Sequence, residues 1–293
     1  MNKDTCIKAL ALNETVRVYL LKNTDTVNTA IEKHNLWPSS TSVLGKALSM
    51  GQMMGHMLKG EEALTIKIAG NGYLGKVIVD ANAKGEVRGY VDNPNVNFVN
   101  NTGGLNDLYA IGNEGLIEVI KDLKMKDLFT SSIELTGNLA SDFTYYFYES
   151  EQTPSLVSLG ILVGEDNKCI ISGGIIIQVL PNATDKEITI IEEKASLLSN
   201  FSELLQITSL EDILHILFND DYQILDEVNV SFKCSCSKES FSRSLLTLGS
   251  KTLKEILDED HHIETRCYYC NNKYDFNEEE ITLLINEAAS QGK

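Results

Sequence analysis

Leu156-Val-Ser-Leu-Gly-Ile-Leu-Val163, Gly164-Glu-Asp-Asn167 and Cys169-Ile-Ile-Ser-Gly-Gly-Ile-Ile-Ile-Gln-Val-Leu180 read as strand, turn and strand. Aliphatic and β-branched residues fill both flanks, and the polar Gly-Glu-Asp-Asn insert between them is a hairpin signal. A hairpin obliges its two strands to run antiparallel. The same pattern appears earlier, where Leu64–Ala69, Leu74–Asp80 and Glu86–Val91 are strand-like. Gly70-Asn71-Gly72 and Ala83-Lys84-Gly85 join them as tight turns. Gly70 to Gly75 also spells G-x-G-x-x-G. A dinucleotide site needs a helix after that motif; a strand-like segment follows here, so the glycines read as a turn.

Outward from these hairpins, Val16, Val18 and Leu20 alternate with Arg17 and Tyr19 as a further strand, and Phe143–Tyr148 reads as another. Thr24–His34 has helical spacing and ends before Trp37-Pro38, because a residue preceding proline avoids the helical region. Ser42–Leu58 predicts a second, well-buried helix, with Gly45, Ala47, Gly51 and Gly55 as a small-residue flank. Met50, Met53, Met54 and Met57 on that helix read as core filling. Antiparallel hairpins combined with helices predict an α+β fold with a mixed N-terminal core, not a doubly wound parallel sheet.

Three regions are expected. Residues 1–181 form the core. Residues 182–230 read as a helical linker: Thr184 with Glu187 and Thr208 with Glu211 are capping pairs, followed by apolar residues at helical spacing. Leu210, Ile213, Leu214, Leu217 and Phe218 form one such stripe, which must lie on another surface, either as ordinary packing or as a detachable cover. Residues 231–293 form a small C-terminal domain, with capping pairs Thr252/Glu255 and Asn277/Glu280 and a staple of Phe276 on Ile281. About sixty acid-rich residues bury too little surface to be safely stable alone.

That last region holds four of the six cysteines, as Cys234-Ser-Cys236 and Cys267-Tyr-Tyr-Cys270. Residues i and i+2 of an extended segment face the same way, and a C-x-x-C turn also converges its sulfurs. Four thiolates make a closed tetrahedral zinc site, structural or sensory because no position stays open for substrate. His261 and His262 lie nearby but are unneeded as ligands. Cys6 and Cys169 stand alone and read as buried thiols.

With 293 residues and 43% apolar content the chain can bury a large core, and its formal net charge is −17. That charge opposes binding to nucleic acid and to anionic membranes. No apolar run is long enough to span a bilayer, and Met1–Leu12 makes a poor signal peptide, so a reducing cytoplasmic setting is expected. No P-loop is present, and the five histidines show no motif linking them to a nucleophile.

A metal-bound thiolate is what peroxide-type oxidants attack, and a near neighbour resolves the product, which C-x-C and C-x-x-C each supply within the pair. Disulfides Cys234–Cys236 and Cys267–Cys270 are then expected, and they would consume all four ligands and melt a metal-dependent fold. The residues alone leave open whether the site is such a switch or an inert staple.

The two cysteine pairs resemble the signature of the redox-regulated chaperone family heat-shock protein 33. Glu86-Val-Arg-Gly-Tyr90, Gln152-Thr-Pro-Ser155 through Leu159-Gly160, and Gly173-Gly-Ile-Ile-Ile-Gln-Val-Leu-Pro181 agree with it. The resemblance spans nearly the whole chain. It implies an ATP-independent holdase rather than an enzyme, inactive while reduced and zinc-loaded. Oxidation, often with heat, is implied to form the disulfides, release zinc, unfold the linker and produce a homodimer that holds unfolding client proteins. The competing readings are a zinc-ribbon adaptor for nucleic acid or the ribosome, opposed by the charge, and a thiol oxidoreductase. The latter lacks a strand-to-helix context at Cys267.

Overall fold

The computed structural model describes residues 3–101 and 103–291. The chain divides into two compact units, Met1–Lys233 and Cys234–Lys293. Of the Met1–Leu12 segment, Met1 and Asn2 lie outside the described residues.

The first unit opens with β1 (Thr5–Ala11), β2 (Val16–Lys22), α1 (Thr24–His34) and α2 (Pro38–Gly55). Then come β3 (Ala63–Gly70), β4 (Lys76–Asn82), β5 (Glu86–Val91), α3 (Asp107–Ile111), β6 (Gly115–Asp122), β7 (Phe129–Glu134) and α4 (Leu139–Glu149). The hairpin β8 (Ser155–Val163) and β9 (Cys169–Val179) follows. Last are α5 (Asp185–Ala195), a 3-10 turn Ser196–Leu198, α6 (Phe201–Ile207), α7 (Leu210–Phe218), β10 (Tyr222–Asn229) and β11 (Ser231–Phe232).

Two sheets result, ordered β10-β1-β2-β9-β8 and β11-β5-β4-β3-β6-β7. Every pairing in them is antiparallel except β11 with β5. The architecture is the expected α+β. Helix α2 packs on strands of both sheets. Its small-residue flank has a reason: a Cβ on Gly55 would stand 2.7 Å from the Asn82 carbonyl oxygen, which backbone cannot yield. The methionines Met50, Met53 and Met54 are buried as core filling. Likewise the Gly70–Gly75 motif is a turn, where a Cβ on Gly72 would meet the backbone of Gly112 at 2.4 Å.

The five-stranded sheet is buried on both faces. Cys6, Tyr19, Leu21 and Ile176 join the cluster that contains α2. Ile7, Ala9, Val18, Leu20, Ile175 and Ile177 point the other way, into a cluster completed by Ile191, Leu198, Phe201, Leu205, Ile213, Leu214, Leu217 and Phe218 of the α5–α7 segment. Those helices are therefore seated on an apolar sheet face.

Four expectations for the first unit need correction. Phe143–Tyr148 lies in α4, not in a strand. Asn138 accepts the Ser141 N–H at 3.3 Å as its N-cap, and Leu139, Phe143, Tyr146 and Phe147 are buried at helical spacing. Tyr222–Asn229 leaves the helical pattern as β10, because Tyr222, Ile224 and Val228 alternate with exposed neighbours along β1. Ser209 rather than Thr208 caps α7, accepting from the Asp212 N–H at 3.1 Å. Helix α2 begins at Pro38, ahead of Ser42, since proline is tolerated in a first turn.

The second unit contains α8 (Lys238–Leu246), α9 (Gly249–Asp260), the hairpin β12 (Ile263–Arg266) and β13 (Lys273–Phe276), and α10 (Glu278–Ser290). Thr252 lies inside α9 rather than at its cap. Asn277 and Glu280 do form a capping box on α10. The core is small: Leu245, Leu246, Leu253, Phe276, Ile281, Leu284 and Ala288.

Candidate metal centre

Cys234 and Cys236 sit on the irregular arm that opens the second unit, immediately before Ser237, the N-cap of α8. Ser237 accepts the Ser240 N–H at 3.2 Å, which stops the extended arm and starts the helix just past Cys236. Cys267 and Cys270 occupy the tip of the β12–β13 hairpin. Their turn is closed by Asn271 N–H donating to the Cys267 carbonyl at 2.8 Å and Cys267 N–H donating to the Asn272 carbonyl at 3.0 Å. Asn271 takes the left-handed conformation, φ 57°, that asparagine tolerates better than most residues.

The arm and the hairpin tip bring all four sulfurs within 4.8 Å of one another. Cys234 and Cys267 are 3.7 Å apart, Cys236 and Cys270 3.3 Å, and none is in a disulfide. Four thiolates around one ion at Zn–S of about 2.3 Å would stand about 3.8 Å apart, so the cluster has the dimensions of a tetrahedral site. Donors also point at the sulfurs. The backbone N–H groups of Cys270 and Tyr269 address Cys267, and that of Asn272 addresses Cys270. Such donors suit sulfur that carries negative charge. The four residues therefore fit a zinc ion.

Burial pushes the Cys267 and Cys270 thiols up, Cys270 strongly. Burial also raises Cys236, but the Tyr274 hydroxyl and the neighbouring thiols outweigh it and leave Cys236 below the ordinary thiol value. Tyr274 is in turn pushed up to about 12, first by its hydrogen bond with Cys236. Sequence reasoning missed Tyr274. Nothing in a four-residue strand marks where a hydroxyl lands, because that depends on how the hairpin meets the arm.

The remaining candidates lie elsewhere. His261 faces Glu278 at 3.2 Å, and His262 Nδ1 contacts the Asp260 carbonyl at 3.0 Å; neither belongs to the sulfur cluster. Cys6 and Cys169 are buried in the first unit. Among the described residues, no helix is long and apolar enough to cross a membrane.

Fold and cluster together define an α+β protein with a small four-thiol module following a large core. The model of the family described as Hsp33 protein matches residues 4–277, and the chain belongs to that chaperone family. It is 41% identical over 288 residues to the 33 kDa chaperonin of Bacillus licheniformis, covering 97% of this chain and 99% of that one. The 33 kDa chaperonin of Bacillus subtilis is 42% identical over 285 residues, covering 96% and 98%. The crystal structure of the 33 kDa chaperonin of Thermotoga maritima, 30% identical, superposes with a TM-score of 0.91 over 99% of this chain and all of that one.

Proposed function

We propose that this chain is a redox-switched, ATP-independent holdase whose reduced, zinc-loaded state is the inactive one. The observation that carries the reading is the seating of α5–α7. Their apolar side chains cover a sheet face that would be exposed if the segment 182–230, proposed here as a linker separable from the core, let go. That segment continues through β10 and β11 directly into Cys234. A surface able to hold unfolding clients is thus covered by chain that runs into the sulfur cluster.

Cys234, Cys236, Cys267 and Cys270 would hold zinc, which when bound keeps the sulfurs as thiolates and supplies much of the small unit's folding free energy. Oxidation by a peroxide proceeds in two parts. A thiolate attacks one peroxide oxygen, the O–O bond breaks, and hydroxide departs to leave a sulfenic acid. The neighbouring thiolate then attacks that sulfur and expels a second hydroxide as the disulfide forms, each hydroxide taking a proton from solvent to become water. Two peroxides complete Cys234–Cys236 and Cys267–Cys270. Disulfide sulfur is no longer a thiolate ligand, so the small unit loses its metal-derived stability and frays toward β11 and β10. Release of α5–α7 then exposes the sheet face to clients and to a second oxidised copy.

The test follows zinc release with a chromogenic chelator and client aggregation by light scattering, together, during peroxide treatment at raised temperature. About one zinc per chain, by the four-ligand count, should be released as aggregation is suppressed. Cys234→Ser should uncouple the two. Zinc release with undiminished client aggregation would overturn the holdase reading.

A further inference from the structure

Beside the four sulfurs themselves, Tyr274 reaches from the hairpin bearing Cys267 and Cys270 to the arm bearing Cys234 and Cys236. It stands on β13 opposite Thr265. Its ring lies against Phe241 of α8, centroids 5.1 Å apart, which fixes its direction. The hydroxyl then sits 3.1 Å from the Cys236 sulfur and 3.0 Å from the Cys236 carbonyl oxygen. Asn272 shares a side-chain hydrogen bond with the same residue.

A phenol has one proton to donate. Beside a thiol, the hydroxyl can give that proton to the carbonyl and accept the S–H. Beside a thiolate ligand there is no S–H, and the charged sulfur becomes the stronger acceptor. Beside a disulfide the sulfur is a poor acceptor, and the contact reverts to the carbonyl. The hydroxyl thus favours one chemical state of Cys236, the thiolate.

We propose that Tyr274 is a positioning residue of the metal centre: its hydroxyl holds the Cys236 sulfur as a ligand and draws electron density from it, so the loaded site keeps its metal and resists oxidation. The inference rests on the metal-centre reading above and assigns the cluster a tuning group outside the four ligands. Partners of this kind typically contribute 10–100-fold in metal affinity.

The decisive variant is Tyr274→Phe, which keeps the ring on Phe241 and removes only the hydroxyl. In the full reduced chain, competition against a zinc chelator should show affinity weakened by about tenfold. Peroxide in excess should strip zinc from the variant faster than from the parent. With Co2+ as probe, the sulfur-to-cobalt charge-transfer band should move to lower energy, because a thiolate relieved of a donor gives up its electron more readily. Phe241→Leu, which loosens the ring but keeps the hydroxyl, should move the band less than Tyr274→Phe does. A Tyr274→Phe band and chelator midpoint identical to the parent would overturn the inference while leaving the metal centre intact. A parent chain with no thiolate–cobalt band would overturn both.

Discussion

Cys6 and Cys169 in the first unit and the four thiols of the second are the same side chain in opposite surroundings. Cys6 and Cys169 are enclosed by the core, and burial pushes both up, Cys169 to about 12, so they remain protonated and inert at neutral pH. The four thiols instead face one another, with backbone N–H groups and a phenol aimed at them. The supporting cores differ in the same sense. The first unit has two large apolar clusters around its sheets, whereas the second has seven buried apolar residues across three helices and a short hairpin. One unit is held by hydrocarbon; for the other, the metal-centre reading proposed above makes the sulfurs the main support.

Metal removal tests that contrast with the largest expected effect. Structural zinc supplies on the order of 10 kcal/mol to small metal-dependent folds. Chelation under reducing conditions, or Cys270→Ser, should abolish amide-exchange protection across α8, α9 and α10 while β1, β2 and β9 stay protected. Persistent protection in the second unit would show that its small core suffices and would remove the basis of the switch.

Phe201→Ala probes the hydrocarbon side. Phe201 is 1% exposed where α6 meets the sheet, and truncating such a residue costs about 3–5 kcal/mol. The reduced variant should open to protease within residues 185–218 before its sheets are cut, and should suppress client aggregation without oxidant. Unchanged protease resistance in that segment would mean the seat is not where the helices are held.

Much of this contrast could be read from sequence, and each miss has its own physical cause. The hairpins β3–β4, β4–β5 and β8–β9 are marked by glycine and asparagine at positions that need turns. Both cysteine pairs are marked by spacing alone. β1 escaped detection because Cys6 and Ile7 feed opposite clusters, so the strand has no polar face to reveal a period of two. α4 was misread because Phe143, Tyr145, Tyr146, Phe147 and Tyr148 have strand propensity, and tertiary packing overrode it. The Tyr274 contact is invisible for a different reason: it joins elements 38 residues apart and exists only once they fold.

A smaller effect belongs to the second unit. Asn277 caps α10 by accepting the Glu280 N–H at 3.0 Å, and Glu280 returns the bond to the Asn277 N–H at 3.1 Å. Asn277→Ala should lower the zinc-loaded unit's stability by about 1 kcal/mol, and Asn277→Asp should restore it. Thermal unfolding of the loaded form measures both; an alanine variant as stable as its parent would show that the metal, not the helix end, limits the unit.

The smallest effect lies in the first unit and depends on pH. His56 at the end of α2 is buried, and desolvation lowers its pKa despite Asp226 on β10, whose Oδ2 stands 3.5 Å from Nε2. Lys8 on β1 adds to the lowering, and the ring of Tyr19 on β2 packs edge-on at 5.9 Å. An unfolded histidine takes its proton near pH 6.5, whereas the folded one resists until lower pH. Over that interval the unfolded chain binds more protons, so the first unit loses stability as pH falls below about 6.5 and levels off once folded His56 is protonated. Trp37, the sole tryptophan, reports this unit by fluorescence. His56→Gln should flatten the slope between pH 7 and the folded value. Asp226→Asn should carry it to lower pH, because the carboxylate is the one neighbour that favours the imidazolium. A slope untouched by His56→Gln would assign the acid sensitivity to other groups and leave the first unit's hold on β10 independent of protonation.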